Sequence, residues 1–262
     1  MSRLTLTVLG SGTSIPSHER LQPSFHLQAA DGEQLLLDVG AGSTFRLAQA
    51  GLRDLALDHI YISHTHQDHI AGLLPLLQGL ESQGRAALTQ PLRIYGPEPV
   101  KNYLDQTVAL GMISAPSFPL EFSVLNDGDS FAIGSLEATT RLMHHSRDCF
   151  AIRLQLDESV FVYSADTGPC SAIAELAKGA DLLLIEASFP TGHDSEFHLT
   201  NSAAGEIAVA AGVRSLILTH LYPENLALSF STIDSQVRSS GYAGMLRVSS
   251  DLDVIPIGPF DL

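Results

Sequence analysis

The chain has 262 residues, enough for one large domain or two fused halves with a sizeable core, and 45% of them are hydrophobic against 16% charged. That balance excludes disorder as the main state. Twenty-nine acids against 14 bases give a net charge of −15, which disfavours a phosphate backbone as partner, because nucleic-acid affinity draws heavily on Lys and Arg.

Two cysteines, Cys149 and Cys170, make no disulfide framework and no C-x-x-C pair, so they read as small side chains in a reducing compartment. The start alternates like a strand and lacks the apolar core of a signal peptide. No apolar run reaches the roughly 18 to 20 residues of a membrane span. The expectation is a cytoplasmic protein with no membrane partner.

In chain order, residues 4–9 read as a strand, followed by the turn-rich Gly10-Ser11-Gly12-Thr13. That turn is too weak for a nucleotide-binding loop, since no Gly-Lys-[ST] follows. Strands are expected over 24–28 and 34–38 around the turn Asp31-Gly32, and a helix over 44–50 with Gly51 as its stop. A strand over 59–63 enters a His-rich segment. A helix is expected over 70–80, a strand over 92–95, and a helix over 98–110 ended by Gly111. The second half reads as strands over 131–133, 137–140, 150–156 and 160–164, then a helix over 171–178. A buried strand over 181–186 precedes a helix over 201–211, capped by Thr200 and ended by Gly212. A strand over 216–218, a helix over 231–240 and strands over 246–248 and 253–257 close the chain. Strands opening each half and helices following fit an α/β (α+β) four-layer αββα sandwich. No repeat or linker divides the chain, so 1–262 reads as one domain whose halves meet near 111–130, a stretch rich in Pro, Ser and Gly.

The chemistry concentrates in His64-Thr65-His66-Gln67-Asp68-His69. At spacing two, an extended chain points His64, His66 and Asp68 to one side. Imidazole and carboxylate are ligands that zinc accepts. The competing reading is a solvated His-rich loop. The apolar flanks Ile60-Tyr61-Ile62 and Ile70-Ala71-Gly72-Leu73-Leu74 argue against it, because buried polar groups need partners and coordination supplies them.

His-Thr-His-Gln-Asp-His resembles the H-x-H-x-D-H signature of the metallo-β-lactamase superfamily. Further segments in the family's order extend the resemblance over essentially the whole chain. Ser164-Ala165-Asp166-Thr167-Gly168 is similar to the motif whose Asp bridges two metals, and Leu218-Thr219-His220-Leu221-Tyr222-Pro223 to the motif carrying the last His. Either His144 or His145 could supply the fourth motif. In the ribonuclease Z-like branch the ligand His precedes a strand resembling Phe150-Ala151-Ile152-Arg153 by a fixed gap, which favours His145 and leaves His144 as a supporting neighbour. Glu186-Ala187-Ser188-Phe189 and His198-Leu199-Thr200 resemble elements of ribonuclease Z and its small phosphodiesterase-like relatives.

The resemblance implies two divalent metal ions, Zn²⁺ by ligand type, with Mn²⁺ or Fe also accepted by such ligands. One would take His64, His66 and His145, the other Asp68, His69 and His220, with Asp166 between them. It implies a hydrolase using a hydroxide held by both metals, with Asp68 orienting it and His198 assisting the leaving oxygen. Glu186 is expected to orient His198 or a ligand His, or to be an ordinary strand-end acid. Ribonuclease Z proper carries a long tRNA-gripping arm, often between the fourth motif and the bridging Asp. Here His145 and Asp166 are close in sequence, so a small-molecule phosphate ester, a small phosphodiester or cyclic nucleotide, is the expected substrate. The alternatives are tRNA 3′-end cleavage, lactone or thioester hydrolysis, and a non-catalytic metal-binding scaffold. Homodimerisation is common in that branch and fits.

Overall fold

The computed structural model describes residues 4–52, 57–88 and 90–258; Met1–Arg3, part of the alternating start, lie outside them. Two seven-stranded sheets form the centre. The first comprises β1 (Leu4–Gly10), β2 (Ser24–Ala29), β3 (Gln34–Leu37), β4 (His59–Tyr61), β5 (Leu92–Gly96) and β6 (Leu120–Val124). The second comprises β7 (Ser130–Ile133), β8 (Leu136–Leu142), β9 (Phe150–Leu156), β10 (Ser159–Tyr163), β11 (Leu182–Glu186), β12 (Ser215–Thr219) and β13 (Met245–Val248). The chain crosses between sheets after Val124, and its last strand, β14 (Val254–Ile257), returns to pair antiparallel with β1.

Period-two alternation explains the layers. Leu35, Leu37, Tyr61 and Tyr95 face Ile152, Phe161, Tyr163, Leu182 and Leu184 in a core between the sheets. The residues between them, Leu36, Ile60 and Ile94, face outward beneath α1 (Ser43–Gln49), α3 (Leu73–Ser82) and α4 (Glu98–Ala109). On the second sheet, Leu183, Ile185, Leu216 and Leu218 lie beneath α5 (Ser171–Leu176), α6 (Asn201–Ala211) and α8 (Phe230–Arg238). This is the αββα sandwich that the pattern predicts.

Three details differ from the sequence expectation. The helix expected over 70–80 is two pieces, α2 (Gln67–Ile70) and α3, parted at Ala71-Gly72. The segment at Val39 holds the break: Val39 N donates to His69 O, and Gly72 N donates to Val39 O. The strand β6 lies inside the stretch read as a junction; its alternation of half-buried and exposed residues is that of an edge strand, which carries a weak apolar signal. A short helix, α7 (Pro223–Leu226), follows His220. Among the described residues no helix is long and apolar enough to cross a membrane.

Candidate metal centre

Strands β3 to β6 run parallel, as do β10 to β13. Their carboxyl ends open on one side of the sandwich, where α/β proteins place ligands. The chain leaving β4 carries Ser63 and His64. It stays extended to His66, and then α2 begins, closed by His69 N donating to His66 O. Asp68 and His69 therefore project from a helical turn. The extended spacing-two geometry expected for His64, His66 and Asp68 holds only for the two histidines.

The second sheet supplies the other half. Asp166 follows β10, and His220 follows β12. The register Glu186↔Thr219 sets β11's last residue one position from His220. Three residues here have left-handed backbone although none is glycine: Asp38 (φ 53°), Ala165 (φ 51°) and His220 (φ 56°). Such conformations cost about 1–3 kcal/mol each and persist where packing over-determines them.

The side chains converge in two groups linked through Asp166. His64, His66, His145 and Asp166 each offer a ligand atom, all within 4.8 Å of one another, and so do Asp68, His69 and His220. Asp166 also groups with His198 and His220. Asp166 Oδ1 lies 3.3 Å from His69 Nε2, while its Oδ2 lies 3.8 Å from His64 Nε2, 3.9 Å from His145 Nε2 and 3.7 Å from His220 Nε2. His64 and His69 are fully buried, and their Nε2 atoms have no hydrogen-bond partner. Burial, reinforced by the charge of His69, pushes His64 well below its ordinary pKa, so it is a neutral imidazole. A lone pair in such a place is costly unless something electrophilic receives it, and a cation answers that need. Donor types, convergence and the orphaned His64 nitrogen thus fit a pair of divalent ions.

Burial opposes the charged form of Asp166, yet His220 and His69 more than offset it and hold the carboxyl well below the usual range. Asp68 is also lowered against burial, chiefly by His220, whose Nε2 stands 3.3 Å away. His198 lies at the edge of the cluster. Burial disfavours its cation, but Glu186 Oε1 at 2.9 Å outweighs that and raises the pKa to about 9. Glu186 also accepts from Thr167 N at 2.8 Å, Leu199 N at 3.1 Å and Ser188 Oγ at 2.7 Å, so it is no ordinary strand-end acid.

The structure separates the two adjacent histidines. The His145 side chain is 1% exposed, with Nε2 3.1 Å from His66 Nδ1. The His144 side chain is 48% exposed, and its ring packs against Phe197. His144 is therefore not brought to the cluster as a supporting side chain; what it lends is a carbonyl that accepts from Gly168 N at 2.7 Å. Gly168 is required there, because a Cβ would run into the Glu196 carbonyl.

Sequence reasoning missed Asp38. It is fully buried and accepts from Ser63 N, Ser63 Oγ, Tyr163 Oη and His69 Nδ1 at 2.7–2.8 Å. A charged residue closing the apolar run Leu35-Leu36-Leu37 was the available signal.

A family profile described as a β-lactamase superfamily domain matches residues 33–221. An uncharacterised protein of Mycobacterium leprae (strain TN) is 32% identical over 83% of this chain and 78% of its own length. A ribonuclease Z of Methanothermobacter thermautotrophicus is 28% identical over 83% of this chain and 86% of its own length. The crystal structure of the metallo-β-lactamase fold protein YhfI from Bacillus subtilis superposes with a TM-score of 0.84 at 23% identity, covering 97% of this chain and 99% of that one.

Proposed function

The chain belongs to the metallo-β-lactamase superfamily, in its ribonuclease Z-like branch, and from that premise we propose that it is a two-metal phosphodiesterase acting on a small phosphodiester or cyclic nucleotide. The observation carrying this reading is the pair of donor groups meeting at Asp166, with a carboxylate-held histidine beside them. His64, His66 and His145 would hold one cation, Asp68, His69 and His220 the other, and Asp166 both. Zn²⁺ suits imidazole and carboxylate donors of this number. Bound there, the cations would lower the pKa of water and neutralise the oxygens of a phosphodiester.

The remaining work falls to the chain itself. Asp68 stands where it can orient the attacking water and accept its proton. His198, whose cation the Glu186 carboxylate favours, is placed to donate a proton to the leaving oxygen. Glu186 holds that imidazole by its Nδ1 and leaves Nε2 for the substrate.

Phosphodiester chemistry is supported by the ribonuclease Z relatives and by the His198–Glu186 pair. A small substrate is supported by the segment between His145 and Asp166, which holds only the antiparallel pair β9–β10, and by the net charge of −15. The ribonuclease Z likeness favours tRNA 3′-end cleavage as the second reading. A panel of a precursor tRNA, cyclic nucleotides, a lactone and a thioester decides. Cleavage of cyclic nucleotides with an intact tRNA is expected; processing of the tRNA alone supports the second reading, and turnover of the lactone or thioester alone sinks both.

A further inference from the structure

Three buried histidines and the partly buried His198 are backed in a repeated pattern. Asp38 Oδ2 lies 2.7 Å from His69 Nδ1 and 2.8 Å from Ser63 Oγ, and Ser63 Oγ lies 2.9 Å from His64 Nδ1. Across the cluster, Glu186 Oε1 lies 2.9 Å from His198 Nδ1 and Oε2 lies 2.7 Å from Ser188 Oγ. Ser188 Oγ in turn lies 3.1 Å from His220 Nδ1. Each carboxylate therefore holds one imidazole directly and reaches a second through a serine. One unit is built on the first sheet and the other on the second.

A hydroxyl has a single hydrogen. An ionised carboxylate is the stronger acceptor and takes it at the shorter distance. Ser188's other acceptor, the His220 carbonyl at 3.1 Å, is neutral and farther away. With that hydrogen committed, each serine oxygen offers only lone pairs to the imidazole beside it. His64 and His220 must then donate from Nδ1; with a cation bound, each presents its Nε2 lone pair to the cluster, which at His220 replaces the 3.3 Å contact of Nε2 with Asp68 Oδ2. The partnerless His64 Nε2 is what this arrangement requires.

We propose that Ser63 and Ser188 are positioning residues. Each relays a buried carboxylate, Asp38 or Glu186, to an imidazole, fixing His64 and His220 as Nδ1–H tautomers and aiming one Nε2 lone pair at each metal position. This rests on the two-metal reading of the site. Partners that orient and polarise a ligand histidine are worth 10- to 100-fold in metal affinity, so each hydroxyl carries a share of that size. Cys149 Sγ, 3.5 Å from His64 Nδ1, is too weak an acceptor to replace Ser63.

The test uses the full chain labelled with ¹⁵N-histidine, stripped of metal and then titrated with Zn²⁺ against a competing chelator. Long-range ¹H–¹⁵N correlations read each tautomer. With Zn²⁺ bound, the wild type is expected to show Nδ1–H at both His64 and His220. Ser188→Ala should lose that signature at His220, leave it intact at His64, and weaken Zn²⁺ binding 10- to 100-fold; His198, whose Nδ1 lies 3.3 Å from Ser188 Oγ, keeps its direct bond to Glu186. Ser63→Ala should do the same at His64, and Ser188→Thr, which keeps the hydroxyl, should restore both readouts at His220. Melting curves of the metal-free variants identify simple loosening, which would disturb every histidine signal together and contradict a tautomer role. Nε2–H at either histidine in the wild type, or alanine variants with unchanged affinity and tautomers, overturns the proposal. Correct tautomers in a wild type that binds fewer than two Zn²⁺ would support the serine relay and sink the two-metal reading.

Discussion

On the proposed reading Asp68 would serve two needs at once, because a ligand oxygen and a proton acceptor would be the same carboxylate. Its substitution by Ala should lower turnover of bis(p-nitrophenyl) phosphate by about two to four orders of magnitude, with circular dichroism unchanged. In the proposed reaction His198 would act on the other side of the phosphorus. A proton donor matters most for a basic leaving group, so His198→Ala should reduce kcat by about 10²-fold on an alkyl phosphodiester, far less on the p-nitrophenyl ester, and leave KM nearly constant. Equal losses on both substrates would contradict the acid role. Away from the site, burial holds His26 below its ordinary pKa of 6.5, with Gln34 only partly compensating. The unfolded chain then takes up the proton first. Stability from this group is complete above pH 6.5 and is lost as pH falls toward the folded pKa, where the loss levels off. Urea midpoints should therefore fall more between pH 7.5 and 5.5 in the wild type than in His26→Gln, and parallel curves would refute it. At this scale the ligand types were legible because six residues of sequence hold three histidines and an aspartate. Asp38 was not, because its partner His69 is 31 positions away and an isolated Asp resembles any other; Ser188 stood in a recognised segment, but its contact with His220, 32 positions away, carried no local mark.

Close backbone approaches set the geometry between elements. Gly40 backs onto the Asp68 carbonyl and Gly168 onto that of Glu196, and neither leaves room for a Cβ. Gly168→Ala should destabilise the chain by about 1–3 kcal/mol, because the obstruction is backbone that cannot swing aside. It should also reduce activity, since Asp166 is two residues away. A melting temperature equal to wild type would show that the loop yields freely. The buried strands were readable because Leu182-Leu183-Leu184-Ile185 and Leu216-Ile217-Leu218 are continuous apolar runs, as sheets covered on both faces require. The α6 boundaries were equally plain: Thr200 caps the helix by accepting from Ala203 N, and Gly212 ends it at φ 64°. The break between α2 and α3 could not be read locally. It is imposed by hydrogen bonds from Val39, some thirty residues upstream.

Across the whole molecule, the site joins the two sheets: His64 to His69 come from the first, and His145, Asp166, His198 and His220 from the second. A cation bound across that seam stabilises the folded state only, by about 4 kcal/mol per site at a thousandfold excess over its Kd. Metal removal should therefore lower the melting temperature by several degrees, and Asp166→Asn should blunt the difference, because that residue would serve both ions. The order of motifs made the sandwich and the paired site legible, while the return of β14 to the first sheet carried no local mark. The most direct measurement is the rate of bis(p-nitrophenyl) phosphate hydrolysis as Zn²⁺ is added stepwise to the metal-free chain. The rate is expected to rise from baseline and reach its plateau at two equivalents per chain. No hydrolysis at any loading, or full activity in the metal-free chain, would contradict a two-metal phosphodiesterase.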